Sequence, residues 1–383
     1  MSKKVIVAGH ICIDITPEMQ GHPVNEIGDF LSPGKLRTVG AADIHTGGVV
    51  ANTGLAMKFL GADVSLLGKI GDDSFGSMIE AITGKYGAAD SLIKKKGEST
   101  SYTIVLAVPG VDRMFLHNPG ANDTFCRDDI PEELLKETAL FHFGYPPIMR
   151  RMYENDGDEL VKVLQMAREA GAATSLDLAA VDPASDSGKA NWPEILKRAL
   201  PLTDIFVPSI EELSFMLDRD MYERVMKRAG KGDFTEALSL KEDVIPLAER
   251  CISMGAGILL LKCGAPGMYY RTGDKERLES ISKRIGLDVE AWSGKSGFED
   301  SFIPDKILSG TGAGDTSVAA FLTAMLNGCT PEKCAEYAAA TGACCVTAYD
   351  ALGGLKTFRE LDLRIEKGWE KKTNSWRYDH EIR

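Results

Sequence analysis

The chemistry this chain could perform gathers at two glycine-opened helix starts and one isolated carboxylate. Near the C-terminal end, Gly310-Thr311-Gly312-Ala313-Gly314-Asp315-Thr316 runs straight into the apolar Ser317-Val318-Ala319-Ala320-Phe321-Leu322. Glycines let backbone N–H groups close around an oxyanion. The first N–H groups of a helix lack intrahelical acceptors, and the helix dipole favours negative charge beside them. Val318, Phe321, Leu322, Met325 and Leu326 recur at helical spacing, so a buried stripe anchors the helix. Asp315 then has two readings. It caps the helix, or it takes the proton of a hydroxyl that attacks a phosphoryl group held at the turn. A dinucleotide fingerprint does not fit, because the third glycine counted from Gly310 would fall on Asp315. Walker A fails too, for want of its Gly-Lys-Ser/Thr end.

The second helix start is Thr46-Gly47-Gly48-Val49-Val50-Ala51-Asn52. Glycines permit close approach of a polyhydroxyl ligand, and the Asn52 amide can donate to and accept from hydroxyls. Asp14 stands alone in the apolar Ile11-Cys12-Ile13-Asp14-Ile15 and needs partners there, such as sugar hydroxyls, a lysine or a backbone amide. For Asp72 and Asp73, in Gly71-Asp72-Asp73-Ser74-Phe75-Gly76, a turn and a helix cap are the better reading.

These residues need a scaffold, and the chain supplies alternating elements. Val5 to Ala8, Val64 to Leu67, Leu140 to Phe143, Ala173 to Leu176, Ile205 to Val207 and Ile258 to Leu261 are short apolar runs, as in strands buried on both faces. Helical patterns over Val50 to Leu60, Asp158 to Ala170 and Leu240 to Met254 separate them. The alternation predicts an α/β fold, a three-layer sandwich around a mostly parallel sheet. Two regions break it. Ile11 to Ile44 is rich in proline and glycine, and Thr103 to Leu116 reads as a hairpin around Pro109-Gly110. Together they form a small sheet placed as a lid, or they add edge strands to the main sheet. Met221 to Phe234 reads as a solvated helical excursion. Arg271 to Pro304 reads as a long polar insertion around Trp292.

The chain has 383 residues, 44% hydrophobic and 26% charged, and a formal net charge of −12. That balance excludes a nucleic-acid-binding surface, though not a nucleotide substrate. No apolar run approaches the length of a membrane span. Eight cysteines without Cys-x-x-Cys spacing point to a reduced, cytoplasmic setting.

Taken together the motifs resemble the PfkB, or ribokinase-like, family of carbohydrate and nucleoside kinases. Gly312-Ala313-Gly314-Asp315-Thr316 is similar to its C-terminal signature. Gly47-Gly48-x-x-x-Asn52, with Gly61-Ala62 and Gly71-Asp72-Asp73-x-x-Gly76, is similar to its N-terminal one. The resemblance implies a kinase domain over residues 1–357, with lid segments at about 12–45 and 99–118, and a C-terminal helix and tail over 358–383. It implies ATP and Mg²⁺, with Asp315 as base and Gly312, Ala313 and Gly314 as the anion hole. Asp14, Gly47, Gly48 and Asn52 match positions that bind substrate. The family's Asn-x-x-Glu motif falls on Ser209-Ile210-Glu211-Glu212, so Glu212 would organise Mg²⁺ through water, while Ser209 departs from the usual Asn. Lys262, Gly264 and Gly267 fall where the family's nucleotide loop follows a strand. The lid leaves room for a homodimer.

Other departures narrow the acceptor. Val49 replaces the lysine of ribokinases proper, and Gly144-Tyr145 stands where they carry a glutamate, so ribose is not favoured. Ser309-Gly310-Thr311 stands where the family often has Asp-Thr-Thr, which leaves potassium dependence open. The reaction implied is ATP-dependent phosphorylation of a hydroxyl on a free sugar, sugar acid, small polyol or nucleoside. Two alternatives remain. One is a phosphosugar kinase using Arg113, Arg150 and Arg151; the other is a catalytically weak sugar or nucleotide sensor.

Overall fold

The computed structural model describes residues 3–111 and 114–373. Its strands are β1 (Lys4–Gly9), β2 (Cys12–Pro17), β3 (Ala42–Gly47), β4 (Asp63–Gly71), β5 (Ile93–Lys95), β6 (Tyr102–Leu106), β7 (Met114–Asn118), β8 (Thr138–Gly144), β9 (Ala173–Asp177), β10 (Ile205–Phe206), β11 (Ile258–Lys262), β12 (Gly267–Thr272) and β13 (Ser296–Asp300). Nine of these make one sheet in the order β13-β12-β11-β10-β9-β8-β1-β4-β5. Its pairings are parallel from β5 to β11, and β12 and β13 add antiparallel. The near-continuous apolar runs follow from burial on both faces. Val5 and Val7 face one core with helices Val49–Phe59, Ala313–Leu326 and Pro331–Cys345. Ile6 and Ala8 face the other, with Asp158–Glu169, Ile210–Leu217 and Ile245–Ser253. The expected Leu240 to Met254 helix is divided at Pro246: a π turn covers Leu240–Val244 and the α-helix begins at Ile245. Proline has no N–H to continue the ladder and favours a first helical turn.

The proline- and glycine-rich region and the hairpin do not extend the main sheet. They make a separate four-stranded sheet in the order β3-β2-β6-β7. Its two faces differ. Asp14 is in register with His45 and Thr103, and Thr103 with His117, which makes one face polar. On the other, Ile44, Ile15, Ile104 and Leu116 form a row across all four strands. Ile44 and Leu116 at its ends are 37% and 55% exposed.

Two readings of the sequence need correction. The stretch after Met221 is docked rather than solvated. Helix Arg219–Ala229 buries Met221 and Val225, and Phe234 stacks on Tyr222 with ring centroids 5.5 Å apart. Its charged residues cover only the outer face. Arg271 to Pro304 is no loose insertion either: it supplies the sheet edge at β13 and helix Lys275–Ile285. Trp292 is buried edge-on against Phe321 at 6.0 Å, and Leu278, Ile281, Ile285 and Phe302 are buried with it, so the stretch is tied down by an apolar stripe of its own. Beyond these, Phe358–Glu366 is a helix whose start is closed by a Thr357/Glu360 capping box.

Candidate active site

Ligands of open α/β sheets bind outside the carboxyl ends of the parallel strands. At that end β1 finishes at Gly9, β8 at Gly144 and β9 at Asp177, in register with one another, and β11 finishes at Lys262. Helix Ala313–Leu326 starts there after Gly312, whose φ of 75° is left-handed. A Cβ on Gly312 would stand 2.4 Å from that of Ala351, so only glycine fits the turn.

Asp315 lies in the first turn and is 4% exposed. It does not cap its own helix. Its Oδ2 accepts from Asn52 Nδ2 at 2.9 Å and its Oδ1 from the Tyr145 hydroxyl at 2.6 Å. The cap reading of Asp315 therefore falls. The structure joins the two glycine-opened helices through this carboxylate, and Thr53 Oγ1 adds a 3.4 Å bond to the Asp315 carbonyl. Each carboxylate oxygen has a second lone pair, so two donors leave room to accept a substrate hydroxyl.

Tyr145 was not singled out as a site residue from sequence. It sits at φ 69°, a left-handed conformation uncommon outside glycine, directly after a buried strand. A tyrosine following a strand-ending glycine was the available signal. Burial, then the charges of Asp315 and Asp177, push its phenol well above the usual range, so it stays a donor.

Lys262 is the last residue of β11. Its side chain is 13% exposed, and its Nζ donates to both oxygens of Asp177, at 2.9 and 2.8 Å. Asp177 is the second site residue missed; it is one more residue at the end of an apolar strand. Burial pushes its carboxyl up to about 7, against the pull of Lys262 and with help from Glu212 and Asp315. For Lys262, burial works against the charge, but Asp177, Glu212 and Asp315 hold its pKa above the ordinary lysine value. The direction we adopt for the pair is a charged Lys262, since three carboxylates share one ammonium. Its Nζ lies 3.7 Å from where a Cβ of Gly314 would stand, so the ammonium underlies the glycine turn.

Ser209 and Glu212 close a capping box. Glu212 N donates to Ser209 Oγ at 3.4 Å and Ser209 N to Glu212 Oε2 at 3.3 Å. A β-bridge pairs Ser209 with Lys262 and brings this cap to the same strand end. Gly264 and Gly267 form the turn between β11 and β12, with Gly267 N donating to the Gly264 carbonyl at 3.2 Å.

Asp14 lies on the polar face of the small sheet, and its Oδ1 accepts from Cys12 Sγ at 3.3 Å. A Cβ on Gly47 would fall 2.1 Å from Asp14 Oδ2, so that glycine makes space for the carboxylate. Burial raises the Asp14 pKa. Between the small sheet and residues 308–311 and 349–351 runs a cleft of about 620 Å³ that reaches Asn52. Asp14, Glu18, Asp43 and Asp350 give it an acidic lining, His45 pairs with Asp43 at 2.7 Å, and no Lys or Arg lines it among the described residues. Arg150 and Arg151 are exposed elsewhere, and Arg113 lies outside the described residues. Asp73 caps helix Ser74–Gly84 by accepting from Gly76 N at 2.8 Å.

A mostly parallel sheet with a small accessory sheet over its carboxyl end is the ribokinase-like architecture, a class of phosphotransferases. Arabidopsis thaliana ribokinase complexed with ribose and ATP superposes with a TM-score of 0.68 at 20% identity, over 95% of this chain and 98% of that one. Among curated proteins, an uncharacterised sugar kinase of Archaeoglobus fulgidus is 26% identical over 305 residues, 79% of this chain and 98% of that protein. Fructokinase-1 of Zea mays is 29% identical over 225 residues, 57% of this chain and 64% of that protein. Residues 2–357 match the pfkB family carbohydrate kinase description, and the chain belongs to that family.

Proposed function

We propose that this carbohydrate kinase transfers the terminal phosphoryl group of ATP to a hydroxyl of a free, uncharged sugar, polyol or nucleoside, with Asp315 as catalytic base. The observation that carries this reading is the placing of Asp315. Two donors from separate elements aim its carboxylate, at the start of a helix whose first turn carries no side-chain cap. Phosphoryl transfer through a loose transition state asks mainly for orientation of the attacking hydroxyl, which a carboxylate held in this way would supply.

The residues present fit a triphosphate. The N–H groups of the 312–314 turn stand at the helix start, that of Ala313 on the Gly310 carbonyl at 3.3 Å, and Gly314 adds no side chain above the Lys262 ammonium. Those N–H groups would hold the transferring phosphoryl, with Lys262 beneath them as counter-charge. Glu212 would hold Mg²⁺ through water, and bound Mg²⁺ supplies neutralisation of the phosphate charge. Ser209, Gly264 and Gly267 would shape the nucleotide end. Asp14, Gly47, Gly48 and Asn52 would hold the acceptor.

The acidic cleft argues against the sugar-acid and phosphosugar readings, because anions there would meet carboxylates without a cationic partner. The relatives named fructokinase and ribokinase act on such uncharged sugars, by their names. The small sheet, over segments 12–45 and 99–118, would close as a lid that excludes water. The apolar row of Ile44, Ile15, Ile104 and Leu116, exposed at its two ends, supports a homodimer through the lid. We read residues 1–357 as the kinase domain and 358–383 as a C-terminal helix and tail. Eight free cysteines favour a reducing, cytoplasmic setting.

A coupled ADP-release assay over free sugars, sugar acids, phosphosugars and nucleosides tests the reading. Turnover of neutral acceptors is expected, with anionic ones at least about tenfold lower in kcat/KM. Absence of turnover across the panel, or a preference for phosphorylated acceptors, would overturn it.

A further inference from the structure

We infer that His10 is an acceptor-binding residue that selects the hydroxyl pattern of the acceptor; this rests on the kinase reading above.

His10 follows β1 directly, and its backbone is pinned on both sides. Its N–H donates to the Gly144 carbonyl at 3.3 Å, and its carbonyl accepts from Val50 N at 3.1 Å. Its place is therefore the seam between the end of β8 and the start of helix Val49–Phe59. Gly48, at φ 83°, makes room for the ring, since a Cβ there would stand 2.6 Å from His10 Nδ1. The imidazole ring lies between two others. The Tyr145 centroid is 6.0 Å away and that of His117 5.1 Å away.

Each neighbour leads to one of the two carboxylates that bracket the acceptor. Tyr145 donates to Asp315 at 2.6 Å. His117 Nδ1 is 3.0 Å from Thr103 Oγ1, and Thr103 stands in register with Asp14 on the same face of the small sheet. His10 thus bridges the base side and the small-sheet side of the site.

Its own nitrogens are unused. His10 is 2% exposed, and neither Nδ1 nor Nε2 has a hydrogen-bond partner. Buried polar side-chain atoms in folded proteins nearly always have one. Burial, and then the nearby His117, holds the ring well below its usual pKa, so it is the neutral imidazole with one donor and one acceptor. A sugar hydroxyl, itself donor and acceptor, complements that pair. His142 is the contrast: it too has a free Nε2, but its Nδ1 is tied to Ser175 Oγ at 2.9 Å within the strands of the main sheet.

The experiment compares wild type with His10→Phe, which keeps a ring and removes both nitrogens, and His10→Asn, which keeps a donor and an acceptor. Steady-state kinetics are run on D-fructose, D-ribose and adenosine, and on monodeoxy analogues of whichever is used best. Expected for His10→Phe is an acceptor KM raised about tenfold or more with the ATP KM within about twofold, and partial recovery in His10→Asn. The penalty should vanish on the one deoxy analogue that lacks the hydroxyl facing His10, a coupling that general loosening of the fold would not produce. If both variants keep the wild-type ratio between parent and deoxy acceptors, His10 holds a trapped water only and the inference is overturned. Should His10→Phe not fold, the ratio in His10→Asn decides alone. A wild type that turns over none of the three parents, nor any acceptor of the wider panel above, overturns the kinase reading, and this inference with it.

Discussion

Two buried aspartates sit at opposite ends of the main sheet and are treated differently. Asp204, at the amino end just before β10, accepts from Arg168 at 3.1 Å, Arg277 at 2.8 Å, Arg284 at 3.2 Å and Thr174 N at 3.0 Å. Asp177, at the carboxyl end, has Lys262 and the adjacent Leu178 N, at 2.9 Å. The first carboxylate has a surplus of planar, fixed donors. The second shares one flexible ammonium with Glu212 and Asp315. A buried charge that serves only the fold can be given every partner it accepts. At the carboxyl end the excess is negative, and a flexible lysine can turn toward an arriving phosphate in a way that three locked guanidiniums cannot. The comparison separates the end that holds the sheet together from the end available for chemistry.

Variants can break this contrast in order of expected effect. Asp315→Asn should lower kcat by about 10²–10⁴ while leaving thermal stability near that of wild type, because the amide keeps its place beside Tyr145. Equal turnover in wild type and variant would remove Asp315 from the mechanism. Lys262→Met should lose activity and also about 3–5 kcal/mol of stability, since it takes from the buried Asp177 carboxyl its ion-pair partner. Denaturant melts and turnover of the folded fraction measure both. Asp204→Asn should show a comparable loss of stability with kcat per folded molecule unchanged, and a fallen kcat there would dissolve the contrast between the two ends. Tyr145→Phe should have the smallest effect. Loss of one hydrogen bond to the base costs about 1–2 kcal/mol, or roughly tenfold in kcat, with the ATP KM unmoved.

Much of this was legible because local patterns report local needs. Short apolar runs marked the doubly buried strands, and two glycine pairs before apolar helices marked both halves of the candidate site. The hydrophobic row Ile44-Ile15-Ile104-Leu116 was not legible, since its members come from four strands whose register only the folded sheet defines. Met221 and Val225 were hidden for a related reason: two apolar residues in a charged helix form a stripe only once a core is there to receive them.

Sequence alone determined the sandwich, the glycine turn at 312–314 and the candidate base within it, because strand burial and helix starts are set by neighbours along the chain. Tertiary structure decided what Asp315 touches. Asn52 is 263 positions away in sequence and Tyr145 170. It also decided that Lys262 answers Asp177 rather than solvent, and that the His10 ring rests in the space Gly48 leaves. Pairings across such distances depend on which strand ends lie side by side, and no spacing along the chain encodes that.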